Sequence, residues 1–413
     1  MKTGYDTVDV CRICNSSDIH EVLDLGKQAP ANSLQDQEDS SENQVPLIFK
    51  FCQNCHTAQL QDNISPEALF KDYVWVTGTS YVANQYKAVF AENVISKSLL
   101  DNPYIIEIAS NDGTFLQTFK ERGFDIIGID PALNIAEIAI NDGIPTMIDF
   151  FSSSVAKKLD DSLPKRPKIV IARNVIPHVP NIKSVLEGIK HLLADEGTGV
   201  IEFHDSALLP QQLQYDYIYH EHVFYFTLTS ISNILKLFDL EIFDLFQSPI
   251  SGGSHVVLFS NKSNKRAPSQ KVQTALSYEQ TLGLSHLATW QNFATEVASH
   301  RDQLTTLIKD LKGQVVGYGA SARSSTLLNY CKLTSDHIKF IIDKNPLKHK
   351  RWTAGSKIEI VSFDFGVEHI DAHDTILLLA WNFKDEVIAE LRSRGIHNNI
   401  ITPFPIEPLY VED

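Results

Sequence analysis

Between residues 100 and 260 the chain alternates short apolar runs with amphipathic stretches. Apolar runs bounded by polar or turn residues predict buried strands at 104–109, 125–130, 169–172 and 199–203. The stretch 115–123 has the apolar period of a helix and ends at a glycine, which is a common helix stop. Strands that alternate with helices predict an α/β fold with a parallel, doubly wound sheet.

The flanking regions have different patterns. Residues 32–43 are polar and acidic with little to bury, so we expect a solvated loop there. Residues 261–269 have the polar composition of a linker, 271–312 form a long helical segment, and a second strand–helix alternation begins at 314. This organisation predicts three parts: 1–70, 71–260 and 261–413.

The composition indicates a compact protein with 43% apolar and 21% charged residues. No apolar run is long enough to span a bilayer and no signal-peptide pattern opens the chain, so we expect a cytoplasmic protein without a membrane partner. The formal net charge of -15 argues against a nucleic-acid partner, because binding a phosphate backbone needs clustered Lys and Arg. The oligomeric state is left open, with a monomer as one alternative.

Four of the five cysteines form two close pairs near the N-terminus, Cys11-x-x-Cys14 and Cys52-x-x-Cys55. Each pair can place two thiolates on one side of a tight turn, so that four sulfurs surround a tetrahedral Zn²⁺. A site closed by four protein ligands has no position for water and is structural. The metal would stabilise a lobe too small to fold on apolar burial alone.

A nucleotide-binding turn is predicted at 107–113, where a strand gives way to a helix. Gly113 lets the backbone approach a ligand closely, and backbone amides at a helix N-terminus attract polar groups. Asp130 ends the next strand, 23 residues after Glu107, where a carboxylate can accept hydrogen bonds from both hydroxyls of a ribose. The full glycine fingerprint is absent, and for Asp112 a role as a helix cap alone is the alternative.

Titratable and aromatic residues are unusually dense at 217–225, just after the predicted strand 199–203. Loops that follow strands in such a sheet face the ligand crevice. A neutral histidine there can take up a proton near pH 7. The stretch is therefore either a catalytic loop or a satisfied polar cluster at a domain interface; its central residues are Tyr219, His220, Glu221 and His222.

A second turn, Gly317-Tyr318-Gly319-Ala320-Ser321-Ala322, fits G-x-G-x-x-A after a strand, and Asp343 ends the following strand. This is the layout of a dinucleotide site. Taken alone, it favours an NAD-dependent oxidoreductase. A non-enzymatic binding module with a zinc lobe is a further alternative, which the acidic balance disfavours.

Several motifs together resemble one family. They are Glu-x-Ala-Ser-Asn-Asp-Gly from Glu107, Gly128-Ile129-Asp130-Pro131, Asn174-Val175-x-x-His178-Val179, Tyr219-His220-Glu221-His222, Ser251-Gly252-Gly253-Ser254, Leu379-Ala380-Trp381-Asn382 and the two cysteine pairs. In combination they resemble the zinc-containing, S-adenosylmethionine (SAM)-dependent sugar C-methyltransferases that act at C-3 of nucleotide-linked deoxysugars. The resemblance implies a zinc lobe, a central class I methyltransferase fold and a C-terminal Rossmann-like domain.

The resemblance also implies a reaction: methylation of a carbon beside a 4-keto group, through an enolate formed by a histidine base. His222 matches the base, Glu221 orients or assists it, and Tyr219 holds the sugar or the oxyanion. His220 is the less favoured base. Tyr73 matches an aromatic segment that closes over the active site in such enzymes.

Binding residues follow from the same resemblance. The expected donor contacts are Glu107, Ala109, Asn111, Gly113, Asp130 and Asn174. The expected contacts to the nucleotide sugar are His178, Ser254, Arg323 and Asn382, with Arg323 offering its forked cation to the diphosphate. A purely structural role of His178 at the start of a helix is an equal alternative. For Ser254, Arg323 and Asn382, the alternative is that they belong to purely structural turns.

Overall fold

The computed structural model of the protein describes residues 4–38, 42–70, 75–100, 102–406 and 408–410. Its first part has β1 Tyr5–Thr7, β2 Ile19–Gln28, β3 Val45–Cys52, β4 Ala58–Leu60, β5 Asp62–Ile64 and α1 Pro66–Phe70. β2, β3 and β4 pair antiparallel. Along β3, buried residues alternate with half-buried ones, as expected for an antiparallel strand with one face on a core.

The central part is the longest. Its helices are α2 Tyr81–Ser98, α3 Thr114–Glu121, α4 Leu133–Asn141, α5 Ser153–Ser162, α6 Ile182–Leu192, α7 Leu208–Gln212 and α8 Leu228–Lys236. Its strands are β6 Ile105–Ile108, β7 Ile126–Ile129, β8 Thr146–Met147, β9 Ile169–Arg173, β10 Thr198–His204, β11 Phe224–Tyr225, β12 Leu240–Ser248 and β13 Ser254–Asn261. Short 3₁₀ turns occur at Thr77–Thr79, Ile176–His178, Tyr215–Tyr217 and Ile250–Gly252.

Seven of these strands form one sheet in the order β12-β13-β10-β9-β6-β7-β8. The five strands from β6 to β10 are parallel, as the alternating pattern predicts. The expectation of a wholly parallel sheet is wrong at one edge, because β12 and β13 form an antiparallel hairpin and β13 inserts beside β10. This strand order, in which β13 alone runs in the opposite direction, is the class I methyltransferase fold.

The short strand β11 leaves the central sheet. It pairs with β4 and completes a four-stranded N-terminal sheet in the order β11-β4-β3-β2. The stretch 217–225 therefore ends inside the N-terminal lobe.

The C-terminal part begins with two helices, α9 Gln270–Thr281 and α10 Leu287–Asp310. The long helical segment is thus broken, at Gly283 with φ of +66°. There follow β14 Val315–Tyr318, α11 Ala322–Tyr330, β15 Ile338–Ile342, β16 Arg351–Trp352, β17 Glu359–Val361, α12 Phe363–His369, β18 Thr375–Leu378, α13 Lys384–Ser393, β19 Asn399–Thr402 and β20 Leu409–Tyr410. The sheet order β16-β17-β15-β14-β18-β19-β20 places β14 at the centre of five parallel strands, a Rossmann-like arrangement.

The polar segment 32–43 is not free in solvent at its two ends, contrary to its composition. Gln35 forms a backbone bridge with Trp352, and the carboxylate of Glu42 accepts the amide of Gly355. Polar side chains thus make specific contacts that a hydrophobicity pattern does not register. Among the residues described, no helix has the length and apolar character needed to cross a membrane.

Gly199 in β10 lies directly opposite the fully buried Phe259 of β13. A Cβ at Gly199 would come 2.1 Å from the Phe259 ring. We expect Gly199→Ala to lower the free energy of unfolding by about 1–3 kcal/mol through overpacking. Denaturant titration followed by circular dichroism measures the change. Gly4→Ala, which meets no atom within 4 Å, is the control, and equal midpoints for the two variants would contradict the prediction.

Candidate functional site

The four paired cysteines come together in the N-terminal lobe. Cys11 Sγ lies 3.5 Å from Cys55 Sγ, and Cys14 Sγ lies 3.6 Å from Cys52 Sγ. All four sulfurs are within 4.8 Å of one another. Tetrahedral Zn²⁺ with Zn–S bonds of about 2.3 Å needs sulfurs about 3.8 Å apart, so the cluster fits zinc. Both turns are tight, with Asn15 and His56 each donating a backbone N–H to the first cysteine carbonyl of its pair.

The turn after β6 brings the predicted donor residues together. Ala109, Asn111 and Gly113 all have positive φ, between 53° and 76°, so the backbone folds tightly at the carboxyl end of the strand. The Asp130 carboxylate accepts the amides of Asn111 and Ala132, at 2.8 and 2.9 Å. Burial raises the pKa of Asp130. The carboxylate thus lies against the turn, as the strand-end rule predicts.

Part of the segment that the family resemblance expects to close over the active site covers this turn. Thr77 donates its amide to Asn111 Oδ1, and Gly78 donates its amide to Asp112 Oδ2. A Cβ at Gly78 would lie 2.7 Å from the Asp112 carboxylate, so a glycine is required for this approach. Asp112 also caps α3 by accepting the amide of Thr114. The sequence marked this segment through Tyr73, but it did not reveal these two hydrogen bonds to the turn. Tyr73, expected in the same segment, lies outside the described residues.

Glu107 is the polar exception in a strand buried on both faces. Burial raises the pKa of Glu107 to about 8, against the opposing effect of Arg173. Arg173 Nη1 lies 3.7 Å from Glu107, Arg173 Nε donates to Glu202 at 2.6 Å, and the guanidinium packs on the ring of Phe115. Sequence reasoning missed Arg173, because nothing local shows that one cation is shared by two buried carboxyls.

Among the described residues, the buried polar atoms near the turn that have no hydrogen-bond partner include the hydroxyl of Ser110 and two acceptors, Glu107 Oε2 and Asn174 Oδ1. Buried acceptors are normally satisfied, so they indicate a place for a ligand with donor groups. A SAM molecule carries such donors in its ammonium group and ribose hydroxyls. The residues around the turn therefore fit this cofactor.

The stretch 217–225 is almost completely buried, with His222 only 3% exposed. His222 Nδ1 lies 2.9 Å from the carbonyl of Tyr217, and its Nε2 lies 2.9 Å from the hydroxyl of Tyr219. A carbonyl can only accept, so Nδ1 carries the proton and Nε2 presents its lone pair to Tyr219. Burial lowers the pKa of His222 well below its usual value, and the neighbouring His178 lowers it further. The imidazole is therefore neutral at physiological pH.

Aromatic rings keep His222 in this orientation. The imidazole contacts the rings of Tyr217 and Tyr219, with centroid distances of 4.2 and 4.0 Å and tilted planes. Tyr217 also stacks on His204 at 3.7 Å. The two tyrosine rings thus leave His222 little rotational freedom.

The residues beside His222 have distinct environments. Glu221 is 4% exposed, and burial raises the pKa of its carboxyl to about 7. Its Oε1 accepts the side-chain amide of Asn32 at 2.5 Å, a contact that sequence reasoning missed. His220 is held by the carbonyl of Val45 at 3.1 Å, which fits its rank as the less favoured base.

His178 lies between the predicted SAM-binding residue Asn174 and the stretch 217–225. It closes the 3₁₀ turn that follows Asn174, and its Nδ1 donates to the carbonyl of Glu221 at 2.8 Å. Its ring lies 4.8 Å from that of His222. Burial lowers the pKa of His178 to about 4. The structure thus brings both histidines to one place.

The second turn has the predicted backbone form, with Gly319 at φ of +98° and packed against Ala380. The carboxylate of its strand-end acid, Asp343, accepts the amides of Ala320 and Asn345 and lies 3.6 Å from Lys348 Nζ. Asp343 thus has a lysine beside it, whereas no Lys or Arg of the described residues forms an ion pair with Asp130.

Arg323 is engaged within the protein. Its guanidinium forms a two-pronged pair with the buried Asp216, at 3.0 and 2.9 Å, and reaches the carbonyl of Ser251. Trp381 Nε1 donates to the same Asp216 carboxylate. The predicted diphosphate cation therefore joins the C-terminal domain to the turn that precedes His222.

The other two predicted nucleotide-sugar contacts are Ser254 and Asn382. Ser254 is fully buried and donates to the carbonyl of Ile250, which shapes the loop 250–253. Asn382 lines a cavity of about 760 Å³ together with Trp381 and Phe404.

Three family models match the chain in order. The model described as "Putative zinc binding domain" covers residues 11–70, "Methyltransferase domain" covers 80–245, and "C-methyltransferase C-terminal domain" covers 249–405. C-methyltransferase NovU of Streptomyces niveus is 30% identical over 387 residues, which are 92% of this chain and 91% of NovU.

Similar solved structures share less of the chain. The PH0226 protein of Pyrococcus horikoshii is 14% identical, with a TM-score of 0.35, and the match covers 45% of this chain and 94% of that one. Magnesium protoporphyrin IX methyltransferase of Synechocystis, solved with bound SAM, is 14% identical, with a TM-score of 0.33, and the match covers 44% and 84%.

The fold, the cysteine cluster and the matched domains define a zinc-containing, SAM-dependent methyltransferase. The chain belongs to the C-methyltransferase family that includes NovU. The expected fold class, cofactors and enzyme class are confirmed, and the oxidoreductase reading of the second turn is not retained.

The zinc cluster yields a direct prediction. We expect the protein to hold about one zinc ion per chain after dialysis. Replacing both Cys14 and Cys52 by Ser should abolish stoichiometric zinc and lower the melting temperature, because the lobe loses its metal cross-link. Inductively coupled plasma mass spectrometry measures the metal. Cys331→Ser removes a buried free cysteine outside the cluster and should keep the zinc; full zinc in the double variant would contradict the prediction.

Proposed function

We propose that this enzyme transfers a methyl group to a carbon of a nucleotide-linked 4-keto-deoxysugar, in deoxysugar biosynthesis. The observation that carries the proposal is His222: a buried, neutral imidazole whose unprotonated Nε2 is fixed by a backbone bond on the opposite nitrogen. A general base needs an unprotonated nitrogen with a fixed direction; Nε2 of His222 is unprotonated, and its lone pair accepts the Tyr219 hydroxyl until a substrate takes that place.

The chemistry explains why such a base is needed. When bound, SAM supplies an electrophilic methyl group. An unactivated C–H bond has no electron pair to attack it, whereas a carbon beside a ketone can lose a proton to give an enolate. The protein must then provide a base for the proton and a donor for the developing oxyanion.

We assign the base to His222 Nε2. Tyr219, whose hydroxyl now donates to that nitrogen, is the donor nearest to it and would donate to the enolate oxygen or the sugar when the substrate separates the pair. Glu221 orients the base or assists its turnover. His178 would complete the wall of the sugar pocket. Tyr73 keeps its proposed role in closing the site.

Donor binding is assigned to the turn after β6. Asp130 would accept the ribose hydroxyls, and the unpartnered Glu107 Oε2 and Asn174 Oδ1 would accept further donor groups of SAM. Ala109, Asn111 and Gly113 shape the backbone that approaches it. Along the chain, we propose that zinc binding, donor binding and nucleotide-sugar binding divide as 1–70, 71–260 and 261–413.

For the nucleotide half of the substrate we propose the space beside the loop 250–253. Ser254 shapes this loop, Asn382 lines the neighbouring cavity, and Arg323 lies under the loop, within 3.5 Å of a Cβ built on Gly252. Nε and Nη2 of Arg323 are used by Asp216, so we assign the diphosphate contact to Nη1, which donates one N–H to the carbonyl of Ser251 and has a second N–H.

The base assignment is tested by His222→Gln. We expect this variant to bind SAM normally and to lose at least about 100-fold in methyl transfer, the usual contribution of a general base. It should also lose exchange of the substrate's alpha proton with deuterated solvent when no donor is present. Mass spectrometry of products from a panel of nucleotide 4-keto-deoxysugars, together with proton NMR of exchange, provides the readouts.

His373→Gln, an exposed histidine in the C-terminal part, is the matched control and should behave as wild type. Unchanged exchange in His222→Gln would remove His222 as the base. Failure of the wild-type enzyme to methylate any sugar of the panel would overturn the substrate class.

Asp130→Asn tests the donor site. The substitution keeps the shape of the side chain but removes the charge that would receive the ribose hydroxyls. Hydrogen bonds to charged groups contribute about 1.5–3 kcal/mol, so the affinity for S-adenosylhomocysteine should fall by roughly 10- to 100-fold. Isothermal titration calorimetry measures it. Asp142→Asn, on an exposed position of the same region, should change nothing, and equal affinities would reject the assignment.

A further inference from the structure

Glu221 has an unusual environment for a carboxyl group. It is 4% exposed, and burial raises its pKa to about 7. Within the described ranges, no Lys or Arg forms an ion pair with it. The three neighbouring histidines do not serve its carboxylate either: His178 bonds its backbone carbonyl, His220 bonds Val45, and His222 bonds Tyr217 and Tyr219. The carboxylate therefore depends on other donors.

Asn32 provides such a donor from a distant part of the chain. Its Nδ2 lies 2.5 Å from Glu221 Oε1, although 189 positions separate the two residues. A side-chain amide can donate to a carboxylate without bringing a charge, so it directs the carboxylate and favours its ionised form. Unlike Glu221, Asn32 is exposed, so it lies at the surface end of this contact.

The position of Asn32 is fixed by contacts that follow it in sequence. Arg351 donates to the carbonyl of Leu34 at 2.7 Å and to the carboxylate of Asp36 at 2.9 Å. Gln35 and Trp352 exchange backbone hydrogen bonds at 2.9 and 2.8 Å. The C-terminal domain thus holds the segment that presents Asn32 to Glu221.

We propose that Asn32 is a positioning residue, which orients the carboxylate of Glu221, the residue next to the base, and that Arg351 acts through Asn32. This inference rests on the proposed function, because it takes Glu221 as a working part of the site. It adds a third part of the chain to the catalytic machinery: a residue of the N-terminal segment, placed by the C-terminal domain.

Asn32→Asp is the sharpest test, because it is isosteric and replaces the amide donor by an acceptor. Loss of a bond to a charged group predicts a fall in kcat of about 10-fold or more. KM for SAM should stay within about twofold, since the donor turn is not touched. Removing the donor disfavours the ionised carboxylate, so the pKa of Glu221 rises. The acid limb of the kcat–pH profile should accordingly move to higher pH. Asn32→Ala should move it in the same direction.

Asn43→Ala is the matched control: an exposed asparagine near the far end of the same segment, whose side chain forms no hydrogen bond with the described residues. It should keep the wild-type kcat and pH profile. Zinc content and melting temperature, measured on all variants, separate an effect on Glu221 from a loss of folding. A wild-type pH profile in Asn32→Asp would overturn the proposal.

A double-variant comparison separates this proposal from the proposed function. If Asn32 acts through Glu221, Asn32→Ala should cause no further loss of kcat in a Glu221→Gln background. Full activity of Glu221→Gln would remove Glu221 from the proposed function, and the inference with it. A second outcome is that Glu221→Gln lowers kcat and that Asn32→Ala lowers it further, by the same factor as in the wild-type background. This outcome would leave the proposed function standing and overturn the positioning role of Asn32. Arg351→Ala should reproduce a part of the Asn32 effect.

Discussion

The buried ion pair between Asp216 and Arg323 joins the C-terminal domain to the turn on which the site depends. Asp216 directly precedes Tyr217, whose carbonyl holds the Nδ1 proton of His222. Two residues after His222, β11 enters the N-terminal sheet. One segment of eleven residues, 215–225, is thus held by all three parts of the chain. Breaking a buried pair of this kind typically costs about 3–5 kcal/mol, so the domains cannot separate without disturbing His222.

Burial sets the protonation of the site. Both His178 and His222 are kept neutral by loss of solvation, while Glu107 and Glu221 have raised pKa values for the same reason. A histidine with a low pKa is a weak base in water, but a fixed lone pair in a dry pocket avoids the cost of reorganising solvent. The aromatic rings around His222 exclude water, and the bond of Nδ1 to the carbonyl of Tyr217 fixes its direction.

The two nucleotide-type turns show how similar backbones acquire different uses. In each, the strand-end carboxylate accepts a backbone amide from the turn: Asp130 from Asn111, and Asp343 from Ala320. The difference lies in what else surrounds the acid. Lys348 lies beside Asp343, and it donates to the carbonyl of Ala320 as well. The motif alone was therefore ambiguous between a dinucleotide site and a structural turn.

Features that depend on local spacing could be predicted from the sequence. Paired cysteines with two residues between them indicate zinc ligands. A strand, a turn, a helix and an acid at the end of the next strand, in that order, indicate a fold that binds SAM. The reversed hairpin of β12 and β13 was not predictable, since apolar runs do not reveal strand direction. Tertiary structure alone decided which side chains meet. Three long-range polar contacts are examples: Arg173 with two carboxyls, Asn32 with Glu221, and Arg323 with Asp216. A single polar residue produces no periodic pattern in the sequence, so its partner cannot be predicted from it.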